Sequence, residues 1–410
     1  MEVFILLTAK IKSDITISLI EPWSKKELLT LREKTNFFCP ACQGELVMKL
    51  GDKKIWHFAH KSNQSCFVEM ERETKYHLQG KKLLYQWFKH QNIQVALEVY
   101  LPFIRQRPDL LVKVNQKVYA IEFQCSSLSL ASIRKRNAGY RQIGITPIWI
   151  LGGHQLRRKN ATTFNIQAPF WEMMLPQEEN KRLKLLYYCP ENQKFSFLNH
   201  IQPISATQAH AHLQEVGELY STYYTLITEN QIPSNAYTNW NRLRKKWRTQ
   251  PPPEFPAKKD YTLLQILYRN HLSLSTFPLE AGWPTAYYFQ IESSPLIWQT
   301  SLLLECLMHQ PKRKPIHFQV LSTWLLSFLH TNKIACRYDS DTLTEKALEF
   351  YLNWLCELNV LRRAENSVNI FLRLRNYTQI ESVEQALKSD EEMTESFINY
   401  ERKNSKKVLF

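Results

Sequence analysis

Hydrophobic and polar positions change period several times over the first 155 residues, and each change predicts an element. Residues 1–35 read as two short strands followed by a helix from Lys25 to Glu33. Over 69–90, the apolar residues Leu78, Leu83, Leu84, Trp87 and Phe88 recur at helical spacing. Apolar runs from Val95 to Leu101, Leu110 to Val114 and Val118 to Phe123 predict three strands. A helix over 126–141 follows, with Ser126 or Ser127 as its N-cap. Pro147 to Leu151 then reads as a buried strand ending at Gly152-Gly153. The order is helix, three strands, helix, strand.

Beyond Gly153 the pattern predicts mostly helix. A helical middle region is expected over 156–250 and a helical C-terminal domain over 257–410, separated by the linker Gln250-Pro251-Pro252-Pro253-Glu254-Phe255-Pro256. Within 316–375, a helix near Val320 to Leu329 precedes a longer one from Thr344 to Leu361. Two short strands follow, at Leu361 to Arg363 and Phe371 to Leu374. That succession suits a winged helix.

Composition narrows the classes. With 410 residues and 44% hydrophobic positions, the chain can bury two or three cores. Lys and Arg total 53 against 38 acidic residues, a net charge of +15, which favours a polyanionic partner. The excess is concentrated early: residues 1–150 hold 23 basic and 13 acidic positions. Only 9 glycines occur, and neither a phosphate-loop nor a dinucleotide fingerprint is present, which argues against a P-loop or nicotinamide enzyme. The apolar start, Phe4 to Leu7, is too short for a membrane span, and a cytoplasmic location is expected.

Three of the eight cysteines fall in one window. Cys39-Pro40-Ala41-Cys42 is followed by His57-Phe58-Ala59-His60 and Cys66. A C-x-x-C knuckle turns two thiolates toward one ion, and tetrahedral Zn²⁺ needs two further N or S ligands. Cys66 supplies one. His60 and His57 compete for the other, since residues three apart on an extended strand face opposite sides. His60, nearer Cys66, is the preferred ligand and His57 the alternative. The zinc is expected to be structural, because protein fills all four positions.

The strongest catalytic signal is Arg107-Pro108-Asp109 followed by Ile121-Glu122-Phe123-Gln124. If Asn115-Gln116 is a two-residue turn, cross-strand partners have numbers that sum to 231. Asp109 and Glu122 are then direct neighbours, about 5 Å apart at Cβ. Facing carboxylates repel unless a cation sits between them or one takes a proton. With Gln124 on the same face, they make an oxygen-rich site suited to Mg²⁺ or Mn²⁺. Glu73, His77 and Lys81, spaced by four, form a stripe on the preceding helix that could extend this site, with Glu73 as a further acid. Two runs mix cations with aromatics in the way single-stranded nucleic acid favours. One is Arg134-Lys135-Arg136 with Tyr140, and the other is Arg244-Lys245-Lys246-Trp247.

The P-D-x₁₂-E-x-Q pattern within this element order resembles the PD-(D/E)XK nuclease superfamily. The knuckle, the His57 to His60 segment, Glu73 with His77, Asp109, Glu122 to Ser126 and Pro147 to Gly152 together resemble the competence protein CoiA family. The resemblance covers roughly residues 1–155. It implies an α/β fold with a PD-(D/E)XK nuclease-like core over 69–155, an N-terminal zinc-binding module over 1–68 and a mostly helical C-terminal half. It implies a competence factor acting on incoming DNA during transformation, in company with a recombinase and other competence proteins. By that resemblance, Asp109 and Glu122 hold the catalytic metal. Gln124 stands where the superfamily usually has lysine, replacing a positive charge with a neutral hydrogen-bonding group. The resemblance therefore implies either a metal-dependent deoxyribonuclease or a catalytically silent scaffold that assists recombinase loading.

Overall fold

Three sheets organise the chain. The structure, a computed structural model, describes residues 5–12, 15–52, 55–61, 66, 74–177, 182–228, 237–251, 258–365 and 367–406. The linker prolines Pro252, Pro253 and Pro256 lie outside them.

The N-terminal sheet contains β1 (Ile5–Leu6), β2 (Thr8–Lys10), β3 (Thr16–Ser18), β4 (Phe37–Phe38), β5 (Glu45–Lys49) and β6 (His57–His60). Their order is β1-β6-β5-β4-β2-β3, antiparallel throughout. Helix α1 (Lys25–Lys34) starts at a capping box: the Ser24 hydroxyl accepts from Glu27 N–H, and the Glu27 carboxylate accepts from Ser24 N–H.

Next come α2 (Lys75–His90), β7 (Gln94–Leu97), β8 (Leu110–Val114), β9 (Lys117–Gln124), α3 (Leu130–Gln142) and β10 (Thr146–Gly152). The helix–three strands–helix–strand order expected from the sequence is present. The β8–β9 register is also the expected one, running from Val114 opposite Lys117 to Leu110 opposite Ile121. Asn115 takes the left-handed conformation (φ 54°) that suits a two-residue turn. Strand β10 lies parallel to β9, with α3 as the crossover. Helix α2 packs closely on β9 at Gly80, where an added Cβ would overlap the Phe123 ring.

Two local expectations shift. Strand β7 stops at Leu97, because Glu98 turns the chain with φ 50°. The cap of α3 is Ser129 rather than Ser126 or Ser127, its hydroxyl accepting from Ser132 N–H at 3.1 Å.

The helical middle region is overturned. Residues 156–217 instead extend the sheet through β11 (Arg157–Arg158), β12 (Thr163–Asn165), β13 (Leu175–Gln177), β14 (Arg182–Cys189), β15 (Lys194–Pro203) and β16 (Gln208–Gly217). Among the described residues here, α4 (Ala168–Trp171), a 3₁₀ turn at Glu218–Tyr220 and α5 (Tyr223–Ile227) are the helical elements that precede α6 (Thr238–Thr249). The spatial order is β11-β12-β16-β15-β14-β10-β9-β8-β7, with β13 on β14. Strand β14 is parallel to β10 and buried, so its Leu185 to Cys189 stretch reads as an apolar run that periodicity cannot tell from helix. Strand β15 alternates at its start, turning Phe195 and Phe197 inward.

The C-terminal part adds α7 (Lys258–Arg269), α8 (Pro295–Ser301), β17 (Pro315–His317), α9 (Phe318–Thr331), α10 (Asp341–Glu357), β18 (Leu361–Ala364), β19 (Ser367–Arg373) and α11 (Val383–Lys406). The two helices and two strands expected in 316–375 are present, with β17 joining in the order β17-β19-β18. Trp240, Trp283, Trp298 and Trp354 are buried in its core. Arg244 and Arg248 of α6 both grip Asp390 of α11, at 2.7 Å each, deep inside. Among the described residues no helix is long and apolar enough to cross a membrane.

Candidate functional site

In the N-terminal sheet, the Cys39 to Cys42 knuckle is closed by Gln43 N–H donating to Cys39 O and Cys39 N–H donating to Gly44 O. Strand β6 then carries the two histidines in opposite roles. His57 is buried, and its Nδ1 lies 2.7 Å from Ile55 O. The Nε2 of His60 lies 3.3 Å from Cys42 Sγ. Cys39, Cys42, His60 and Cys66 bring their ligand atoms within 4.8 Å of one another. This Cys₃His group could hold a metal ion. Three soft sulfur donors with one imidazole are the donor set of a closed tetrahedral zinc site. Buried His60 Nδ1 has no hydrogen-bond partner among the described residues.

The second cluster lies where β8, β9 and α2 meet. Asp109 sits one residue before β8. Its Oδ2 accepts from Phe123 N–H at 2.9 Å and lies 3.3 Å from His77 Nε2, while its Oδ1 lies 3.5 Å from Lys81 Nζ. Burial would raise this carboxyl's pKa, but His77, Lys81 and the Phe123 N–H hold it well below the usual range. Glu122 is only 4% exposed. Its Oε1 takes Arg136 Nη2 at 2.5 Å, Arg136 Nε at 3.1 Å and the Tyr140 hydroxyl. Burial, with Asp109 nearby, nevertheless pushes its pKa up against the pull of Arg136. The cations expected between the two carboxylates are thus supplied in part by protein.

Every hydrogen bond to Glu122 falls on Oε1. Its Oε2 has no hydrogen-bond partner among the described residues, and Asp109 Oδ1 meets only Lys81. Glu122 thus keeps one oxygen for a further ligand, whereas the Lys81 ammonium stands against the less engaged oxygen of Asp109. Gln124 donates from Nε2 to Ser126 O at 2.9 Å and Ser126 Oγ at 3.1 Å. Of the helical stripe, His77 and Lys81 reach Asp109; Glu73 lies outside the described residues.

Sequence reasoning missed Glu98. It and Lys81 are each 1% exposed and pair at 2.6 Å. Glu98 Oε2 also accepts from Leu7 N–H, Thr8 N–H and Thr8 Oγ1 at 2.9–3.1 Å. This carboxylate therefore fastens the N-terminal sheet to the lysine beside Asp109. Its charge preference resembles that of Asp109: burial opposes ionisation, but Lys81 and Arg107 prevail.

Several of the expected nucleic-acid contacts point inward. Arg136 and fully buried Tyr140 serve Glu122. Arg134 pairs with Glu172 at 2.7 Å and donates to Arg337 O. Arg244 is fully buried on Asp390, and Trp247 packs edge-on against Trp240 and Phe277. Arg136, Tyr140 and Arg244 are thus committed to buried acids, whereas Arg134 and Trp247 are only partly covered. Lys135, Lys245 and Lys246 are exposed. Charge and aromatic spacing reveal a stripe, but not the distant acid that draws Arg136 or Arg244 inside.

Three family models tile the chain: the N-terminal domain of competence protein CoiA over residues 20–69, its nuclease-like domain over 73–231 and its C-terminal domain over 232–387. The competence protein CoiA of Bacillus subtilis (strain 168) is 31% identical over 340 residues, covering 82% of this chain and 90% of that protein. The chain belongs to the CoiA family. The family's nuclease-like domain spans Asp109, Glu122 and the β11–β16 extension together, so the strands missed by periodicity belong to the same matched segment. The Cys39, Cys42, His60 and Cys66 group falls within the family's N-terminal domain. No solved structure matches the chain.

Proposed function

We propose that this chain acts in competence as a divalent-metal-dependent DNA nuclease, with incoming single-stranded DNA as its substrate. The carrying observation is that Asp109 and Glu122 lie at one end of the β8–β9 hairpin, near enough for one charge to act on the other, with Glu122 Oε2 outside every hydrogen bond of the described residues. Two carboxylate oxygens fit Mg²⁺ or Mn²⁺, which would lower the pKa of a bound water and neutralise phosphate charge. Lys81 supplies a fixed positive charge beside Asp109. Gln124, held toward Ser126, supplies only neutral hydrogen bonds. Cys39, Cys42, His60 and Cys66 hold a structural zinc in this reading, and the nuclease-like core spans 69–155.

A second reading, a silent scaffold that hands DNA to a recombinase, is favoured by one specific feature. Arg136 and Tyr140 already occupy Oε1 of Glu122, and no lysine stands at position 124. The β17–α9–α10–β18–β19 succession has a winged-helix order. However, α10 exposes Asp341, Lys346 and Glu357, a mixed surface that does not favour phosphate, so DNA is assigned to the N-terminal half.

The test is cleavage of labelled single- and double-stranded DNA with Mg²⁺, with Mn²⁺ and without added metal. A folded Asp109→Ala/Glu122→Ala variant is run beside the wild type. Metal-dependent cutting that disappears in the variant is expected. Intact DNA in every lane, with binding retained, establishes the scaffold instead.

A further inference from the structure

Between Glu98 and Asp109 the chain makes a narrow excursion whose anchoring is uneven. Leu101 N–H donates to Gln106 O at 2.8 Å, and Gln106 N–H donates back at 3.4 Å, closing a turn over Pro102 to Arg105. Leu101 and Ile104 pack against Ala120, Tyr140 and Ile145. The Gln106 side chain donates to Lys135 O at 3.1 Å, and Arg107 O accepts from Arg136, the residue that grips Glu122. Arg105 turns the chain back with φ 52°. The turn is thus packed on Tyr140 of α3 and hydrogen-bonded to α3 through Gln106 and Arg107, three and two residues before Asp109.

Phe103, at its tip, is left 95% exposed. It is the only phenylalanine among the large exposed hydrophobics of the described residues. A single exposed apolar residue is ordinary on a protein surface. Here, however, its neighbours Leu101 and Ile104 are tucked in, so the turn holds the phenyl out rigidly. Arg105 and Lys135, both exposed, flank the anchored turn in sequence and through the Gln106 bond. A fixed aromatic ring among cations, beside a phosphodiester-handling site, has the chemistry that holds an unpaired base by stacking and its phosphates by charge.

We propose that Phe103 is a stacking platform for a base of single-stranded DNA, and that it sets the preference of this site for unpaired strands. This deepens the DNA-processing reading and rests on it. A base within a duplex is already stacked on both faces and offers no free π-face to the ring. Discrimination therefore arises without any hydrogen bond to a base edge.

The test is binding measured by fluorescence anisotropy without added divalent metal. The probes are an oligothymidylate, an abasic strand with the same number of phosphates, and a duplex of the same length. Phe103→Ala should bind oligothymidylate about tenfold more weakly, while the abasic strand and the duplex are unchanged. Phe103→Trp should restore or exceed wild-type affinity for oligothymidylate. Because Phe103 lies in water, both variants should keep the wild-type melting temperature.

Wild-type affinity for oligothymidylate in Phe103→Ala overturns the proposal and leaves the ring to a protein partner. Equal weakening on all three probes overturns it too, since stacking cannot act on an abasic strand. Absence of DNA binding by the wild type sinks both this proposal and the DNA reading. Cleavage is scored separately: stacking without cutting removes only the nuclease, and cutting without a Phe103 effect removes only the platform.

Discussion

Glu98 shows what a single residue can do and why no motif announces it. A lone glutamate after an apolar strand has no spacing to read; its role comes from Leu7 and Thr8, about 90 residues upstream, and from Lys81. Replacing it with Gln leaves the Lys81 ammonium buried with Asp109 as its remaining anion. Glu98→Gln should therefore destabilise the fold by about 3–5 kcal/mol, as removing one partner of a buried pair does. Glu98→Gln/Lys81→Met, which keeps an oxygen for the Leu7 and Thr8 donors, should recover much of that loss in urea unfolding, and a double variant no better than the single one would refute the pairing. The β8–β9 register, in contrast, was legible, because one two-residue turn dictates the whole hairpin. The protein partners of its acids were not all legible: His77 and Lys81 stood on a readable stripe, whereas Arg136 was assigned to DNA.

At the scale of elements, legibility followed locality. Helix α2, the β8–β9 hairpin and β10 have periods that neighbouring residues fix. Strands β14 to β16 do not, since β14 is apolar because both its faces are covered by distant parts of the chain. The Cys₃His group combines both cases: its spacing was readable, strand alternation allowed only one of the two histidines of β6 to face the ion, and nearness to Cys66 favoured His60. Purified protein should carry about one zinc per chain, measured by metal emission. Cys42→Ser and His60→Ala should lose most of it, and His57→Ala should keep it. Chelation should expose the β4–β5–β6 segment to protease while α2 to β10 stays protected. Metal-free protein with unchanged protease sensitivity would refute a structural ion.

The whole molecule depends on pairings between distant segments. Burial acts to raise the Asp390 carboxyl, but Arg244 and Arg248 outweigh it and hold its pKa down. A carboxyl depressed by folding contributes stability that is complete above its unfolded pKa of about 4 and is lost as pH falls below that value. The wild-type melting temperature should therefore drop more steeply between about pH 5 and 3 than that of Asp390→Asn, which should start lower by about 3–5 kcal/mol of stability. Parallel curves would refute this linkage. The same clamp governs timing. Arg248 leaves the ribosome 142 residues before its partner, a wait of about ten seconds at ordinary elongation rates. The large sheet can close during that interval, while α6 must wait in water with two unanswered guanidiniums. The C-terminal half is thus the last part of the nascent chain to become safe from proteases.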